Sequence, residues 1–180
     1  MAVSDPRASA TDTSDRELIF NRVFEAPRDL VFTVWTDPQH VGHWWGPDGF
    51  TLTIHEMNVK AGGVWRFVMH GPDGVDYKNR IVFIEVDRPK RLVYKHSGEE
   101  GDEPVSFEVT VTFAEQDGKT HLNMHMLFPS KAERDHVIEK YGADEGANQT
   151  LRRLAEYLAA MSQSRRHDGT TARRGRTREH

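Results

Sequence analysis

The chain has 180 residues, of which 37% are hydrophobic and 29% charged, with a formal net charge of -4 and no cysteine. A domain of this size buries roughly two-thirds of its unfolded surface, so one sizeable core is possible, whereas a disulfide framework, a thiolate metal site and a Cys nucleophile are excluded. No apolar run reaches about 18 residues and the N-terminus lacks an apolar leader region, so neither secretion nor membrane spanning is indicated and a reducing cytoplasm is expected.

Residues 1–15 are small and polar, and residues 162–180 carry six arginines against Asp168 and Glu179. Both read as disordered tails flanking one domain at residues 16–161. Without the C-terminal tail the chain holds 18 basic and 26 acidic residues, a net -8. A basic tail can contact nucleic acid through counterion release, but a solvated tail is the simpler reading and nucleic acid is not the expected partner.

Residues 17–25 are rich in strand formers and stop at Ala26-Pro27. Pro27 suits a first helical turn, and Leu30, Val31, Val34 and Trp35 recur at helical spacing, predicting a short helix over 27–36. Asp37-Pro38 restarts the pattern and predicts a second short helix to about Trp44, ended by Gly46-Pro47. From Phe50 to Phe128 the period becomes two, with turns at Lys60 to Gly63, Gly71 to Gly74, Asp87 to Pro89, residues 98–102 and Asp117-Gly118. Five turns imply six consecutive antiparallel strands. Ser130 and Glu133 form a capping box, and after a break at Tyr141-Gly142 the residues Ala147, Leu151, Leu154, Leu158 and Met161 form one apolar stripe of a long helix. The expected fold is α+β: a curved seven-stranded antiparallel sheet wrapped around a long C-terminal helix, with two short helices between strands 1 and 2. A cavity is expected between that helix and the sheet.

Several separated strings then carry a resemblance. Phe24-Glu25-Ala26-Pro27, Trp35-Thr36-Asp37-Pro38, Trp44-Trp45-Gly46-Pro47, Gly62 to Met69, Gly71 to Gly74, and Tyr141-Gly142-Ala143 with Gln149 to Leu154 agree in order and spacing. Over about residues 17–160 the chain resembles the activator of heat-shock-protein-90 ATPase homologue branch of the START/SRPBCC (Bet v1-like) superfamily. The resemblance implies the helix-grip fold and a hydrophobic cavity. It implies no single activity: members bind lipids, hormones or polyketides, some are cyclases, dehydratases or hydrolases, and the eukaryotic namesake stimulates a chaperone ATPase. Function needs the site as well as the fold.

Strand parity assigns Ile54, Glu56, Trp65, Phe67, Met69, Tyr94, His96, Phe107, Val109, Met124 and Met126 to the cavity face, with Leu151, Leu154 and Leu158 from the helix. Trp44 and Trp45 stand beside Gly46-Pro47, where their rings would either rim the cavity or close the core. Glu56 and His96 are the polar exceptions and the two acid/base candidates. A slip of one residue would turn Glu56 to solvent and bring Met57 inward.

No metal or other cofactor is expected. His121 and His125 share a strand face, but four strand residues span roughly 13 Å, too far for one ion. His40 and His43 stand one helical turn apart without an evident third ligand. The expected partner is a small hydrophobic molecule bound without catalysis, the alternatives being an enzyme acting on a polyketide-like substrate and a stress-response protein that binds a chaperone. An exposed edge strand would permit a homodimer.

Overall fold

A computed structural model describes residues 13–98 and 106–174. After a single 3-10 turn at Ser14–Arg16, the chain forms β1 (Glu17–Phe24), α1 (Arg28–Thr36), α2 (Pro38–Val41), β2 (Thr51–Met57), β3 (Val64–His70), β4 (Asp76–Asp87), β5 (Arg91–Gly98), β6 (Ser106–Gln116), β7 (Lys119–Leu127), α3 (Lys131–Tyr141) and α4 (Ala143–Arg174). The strands make one antiparallel sheet in the order β1-β7-β6-β5-β4-β3-β2. From β2 to β7 each strand pairs with the next, while β1 closes onto β7, so β1 and β2 are the two edges.

The helix starts follow from local chemistry. The Asp37 carboxylate accepts the Gln39 N–H at 2.8 Å and Pro38 fills the first turn of α2, satisfying donors that a helix start leaves open. α2 stops at Val41 rather than near Trp44, because the chain turns at Gly42 and drives both tryptophans into the core. Ser130 Oγ accepts the Glu133 N–H at 3.1 Å. Gly142, at φ 59°, adopts the left-handed conformation that ends α3 and lets α4 leave in a new direction.

α4 runs on past Met161 to Arg174, whereas sequence reading begins a tail at residue 162. Residues 1–12 and 175–180 of the expected tails, and residues 99–105 of the β5–β6 connection, lie outside the described residues.

The inner face of the sheet, α1 and the Leu151, Leu154 and Leu158 stripe of α4 share one core. At its centre the four tryptophans pack edge to face, with centroid separations of 5.0 Å for Trp35–Trp44, 5.6 Å for Trp44–Trp45 and 4.8 Å for Trp45–Trp65. Among the described residues no helix is long and apolar enough to cross a membrane.

Candidate functional site

The inner face of the sheet is not covered evenly. Ile81, Phe83, Tyr94, Val109 and Val111 are fully buried under the helices. Further along the same strands, Met69, Tyr77, Asn79, His96 and Phe107 keep part of their surface accessible. These residues pair across β3–β4–β5–β6 as Met69 with Tyr77, Phe67 with Asn79, and His96 with Phe107, so they form one continuous patch. Aromatic side chains stand around it: Phe50 lies 6.0 Å and Tyr141 6.4 Å from the Tyr77 ring, and Phe128 lies 4.9 Å from Phe107. The patch thus lies on the inner face of the sheet beside Tyr141, the residue that ends α3.

His96 sits in this patch, between the rings of Phe107 at 5.0 Å and Phe67 at 5.9 Å. Burial pushes its pKa down to about 4, because a charged imidazole there would lose its hydration. Its Nε2 is 2.9 Å from Asn79 Oδ1, and Asn79 Nδ2 donates to the Tyr77 carbonyl at 2.9 Å. Nearby, Tyr94 is buried and its hydroxyl is pushed above the ordinary phenol value by the same desolvation.

The candidates read from sequence divide sharply. Ile54, Met69, His96 and Phe107 lie in the patch or at its edge with accessible surface. Trp44, Trp45, Trp65, Phe67, Tyr94, Val109, Met124, Met126, Leu151, Leu154 and Leu158 are buried in mutual packing, so most of the expected cavity wall is core. Trp44 and Trp45 close that core rather than rim an opening, and Trp44 Nε1 donates to the Val34 carbonyl at 3.1 Å. Trp65 Nε1 is buried with no hydrogen-bond partner among the described residues.

Glu56 is a correction. A bulge between Ile54 and Glu56 sets Glu56 opposite Arg66 and Met57 opposite Trp65, so Glu56 is exposed on the outer face and Met57 takes the inward place. Glu56 and His96 therefore lie on opposite faces of the sheet and cannot act on one substrate.

A second recess of about 290 Å³ opens between the start of α1 and α4, lined by Glu25, Ala26, Pro27, Leu30, Leu158, Met161 and Ser162. Of the expected ligand residues only Leu158 borders it, and its polar atoms do not converge on a point. The outer face carries a chain in which Thr53 Oγ1 is 2.7 Å from His70 Nε2 and His70 Nδ1 is 2.7 Å from Asp76 Oδ1. It spans three paired strands whose backbone is engaged in the ladder, so it lacks the free N–H pair that would stabilise an oxyanion. It reads as a clasp on edge strand β2.

Three other histidines are engaged. His40 Nδ1 lies 2.6 Å from the Tyr157 hydroxyl and His43 stacks on the same ring at 5.4 Å, while His125 Nε2 is 2.5 Å from Glu17 Oε2. Among the described residues no group of three or more His, Cys, Asp or Glu is placed to hold a metal ion.

Sequence reading missed Asn79, Tyr77, Phe50, Phe128 and Tyr141. For Asn79 a signal exists: Tyr77, Ile81 and Phe83 alternate with Lys78 and Arg80, which places one amide on the apolar face.

A seven-stranded antiparallel sheet closed by a long C-terminal helix is a helix-grip protein of the SRPBCC type. Within that class the chain belongs to the family of Activator of Hsp90 ATPase homolog 1-like proteins, whose model matches residues 25–159. Its fold is similar to that of protein Ms6760 from Mycobacterium smegmatis, at 24% identity and a TM-score of 0.73 over 82% of this chain and 93% of that one. A protein from Arthrobacter aurescens is similar at 22% identity and a TM-score of 0.75, over 83% and 90% of the two chains. A protein from Rhodobacter sphaeroides has 27% identity and a TM-score of 0.71, over 83% and 95%. No curated protein matches the chain.

Proposed function

We propose that the protein binds a small, mostly apolar molecule in a cleft floored by Asn79, His96 and Phe107, which keep accessible surface on the inner face of the sheet. The observation that carries this reading is the accessible patch of Met69, Tyr77, Asn79, His96 and Phe107 on the inner face of the sheet, whose Asn79 and His96 are hydrogen-bonded to each other. Ligand sites of this kind are concave and apolar with a few placed polar groups. Binding without turnover fits better than catalysis. An imidazole with a pKa of about 4 is a weak base near neutrality and is not protonated there to act as an acid, and the other acid/base candidate, Glu56, is on the opposite face.

The test is a thermal-shift screen with naphthalene, a flavone, a sterol and a long-chain fatty acid. A ligand at about 100 times its Kd should raise Tm by roughly 5–10 °C. Met69→Trp, which fills the cleft edge, should abolish the shift, while Leu158→Trp at the second recess should not. Failure of every compound to move the transition of folded protein would sink the reading.

A second reading, contact with a chaperone, is favoured by the family's description and by Ile19 and Val23, 52% and 55% exposed on the outer face of edge strand β1. Stimulation of a chaperone ATPase by the purified protein, lost in Ile19→Lys/Val23→Lys, would support it. An unchanged ATPase rate at saturating protein would exclude it.

A further inference from the structure

Resting on the ligand-binding reading, we propose that the cleft selects a neutral aromatic molecule bearing a hydroxyl, whose O–H donates to His96 Nδ1. A chain of hydrogen bonds fixes which atoms of the site can give and which can accept.

The Tyr77 carbonyl can only accept. The Asn79 atom facing it at 2.9 Å is therefore the amide nitrogen, and the amide oxygen is left pointing at His96. That oxygen also only accepts, so His96 Nε2 carries the proton and donates across the 2.9 Å contact. Burial keeps the imidazole uncharged near neutral pH, so with the proton on Nε2 its Nδ1 is a bare lone pair. Among the described residues Nδ1 has no partner. The rings of Phe67 and Phe107 lie beside the imidazole at 5.9 Å and 5.0 Å, so an accessible acceptor stands next to aromatic surface.

A ligand that fills this space must bring a donor to Nδ1 and flat apolar surface to the two rings. An aromatic alcohol does both. A carboxylate brings only acceptors and would face the lone pair with like polarity, unless His96 took up a proton against its desolvation. An ether of the same shape fills the space but leaves Nδ1 unmatched.

The experiment titrates the whole protein by calorimetry at neutral pH with naphthol, methoxynaphthalene and naphthoate, each substituted at the same ring position, and with naphthalene itself. Naphthol should bind about five- to tenfold more tightly than methoxynaphthalene, the worth of one hydrogen bond, and naphthoate should be the weakest of the four. His96→Phe should remove the preference for naphthol while retaining naphthalene binding. In the unsubstituted protein, nitrogen NMR should show His96 Nδ1 unprotonated and shifted on adding naphthol, a readout that needs no variant. Equal binding of naphthol, its ether and naphthalene would overturn the selectivity and leave the apolar site standing. A preference for naphthoate, or a protonated Nδ1, would also overturn it. Absence of binding by all four would remove the selectivity and the ligand-binding reading together.

Discussion

Arg153 reaches from α4 to the loop that follows the paired tryptophans, where its Nη1 donates to the Gly46 carbonyl at 2.8 Å. The same nitrogen lies 3.0 Å from the Pro47 carbonyl and 3.3 Å from that of Trp45. One guanidinium thus gathers the carbonyls of a turn that cannot pair them within a strand, and in doing so pins α4 over the sheet. The carbonyls converge because Gly46 adopts φ 97°, a conformation that bends the chain back on itself.

Arg153→Met should therefore cost about 2 kcal/mol of stability, the range for hydrogen bonds to a charged donor. Arg153→Lys should recover little, because an ammonium cannot span several carbonyls as a planar fork does. Urea unfolding of the three proteins decides this. Full recovery by lysine would show that charge alone holds the helix in place.

Glu56 and Met57 make opposite predictions. Glu56→Gln should change neither unfolding free energy nor ligand affinity by more than about 0.5 kcal/mol, as expected for an exposed side chain. Met57→Ala, which removes an inward residue packed on the core, should cost about 2 kcal/mol. Chemical denaturation of each variant measures both. A larger loss for Glu56→Gln would place the bulge of β2 elsewhere.

That bulge also explains how much of the molecule was legible in its sequence. The alternation of Val109, Val111 and Phe113 on β6 and of Leu122, Met124 and Met126 on β7 is unbroken, and the structure keeps it. The capping box at Ser130 and the αL turn at Gly142 are likewise local, and local chemistry decides them. Parity fails at Glu56 because one extra residue flips every following side chain, and nothing in Thr51 to Met57 announces where the insertion falls. The site was half-legible for another reason. Strand parity says which residues face inward, but not which of them the helices cover. Tyr94 and His96 read alike in sequence, yet one is sealed and the other borders the cleft.

His96 gives a pH dependence of known sign. Its pKa is lowered by burial from 6.5 to about 4 in the folded chain, so as pH falls below 6.5 the unfolded state takes up the proton first. Stability should be unaffected by this group above 6.5 and fall by about 1.4 kcal/mol per pH unit between the two values, about 3 kcal/mol in all. His96→Phe abolishes that component, so the difference between wild-type and variant unfolding free energies should grow steadily from pH 7 towards pH 4. Parallel curves for the two proteins would mean that the imidazole is hydrated in the folded state.

Gly63 tests how the cleft-bearing strands are held in register. Gly62 N–H donates to the Phe83 carbonyl at 2.7 Å and Phe83 N–H donates to the Gly63 carbonyl at 2.9 Å, so the β2–β3 turn lies on β4 at the point where that strand shifts register against β5. A Cβ on Gly63 would stand 1.9 Å from the Asn58 carbonyl oxygen, a backbone atom that cannot move without opening the turn. Gly62 differs: it has φ 81° but open space around its Cα. Gly63→Ala should thus cost roughly 3 kcal/mol through a clash, and Gly62→Ala about 1 kcal/mol through conformation alone. The Gly63 variant should also speed amide exchange at Phe83, since the displaced turn no longer protects it. Equal losses for the two variants would mean that the turn yields easily, and that the packing of Trp65 and Phe67 sets the register instead.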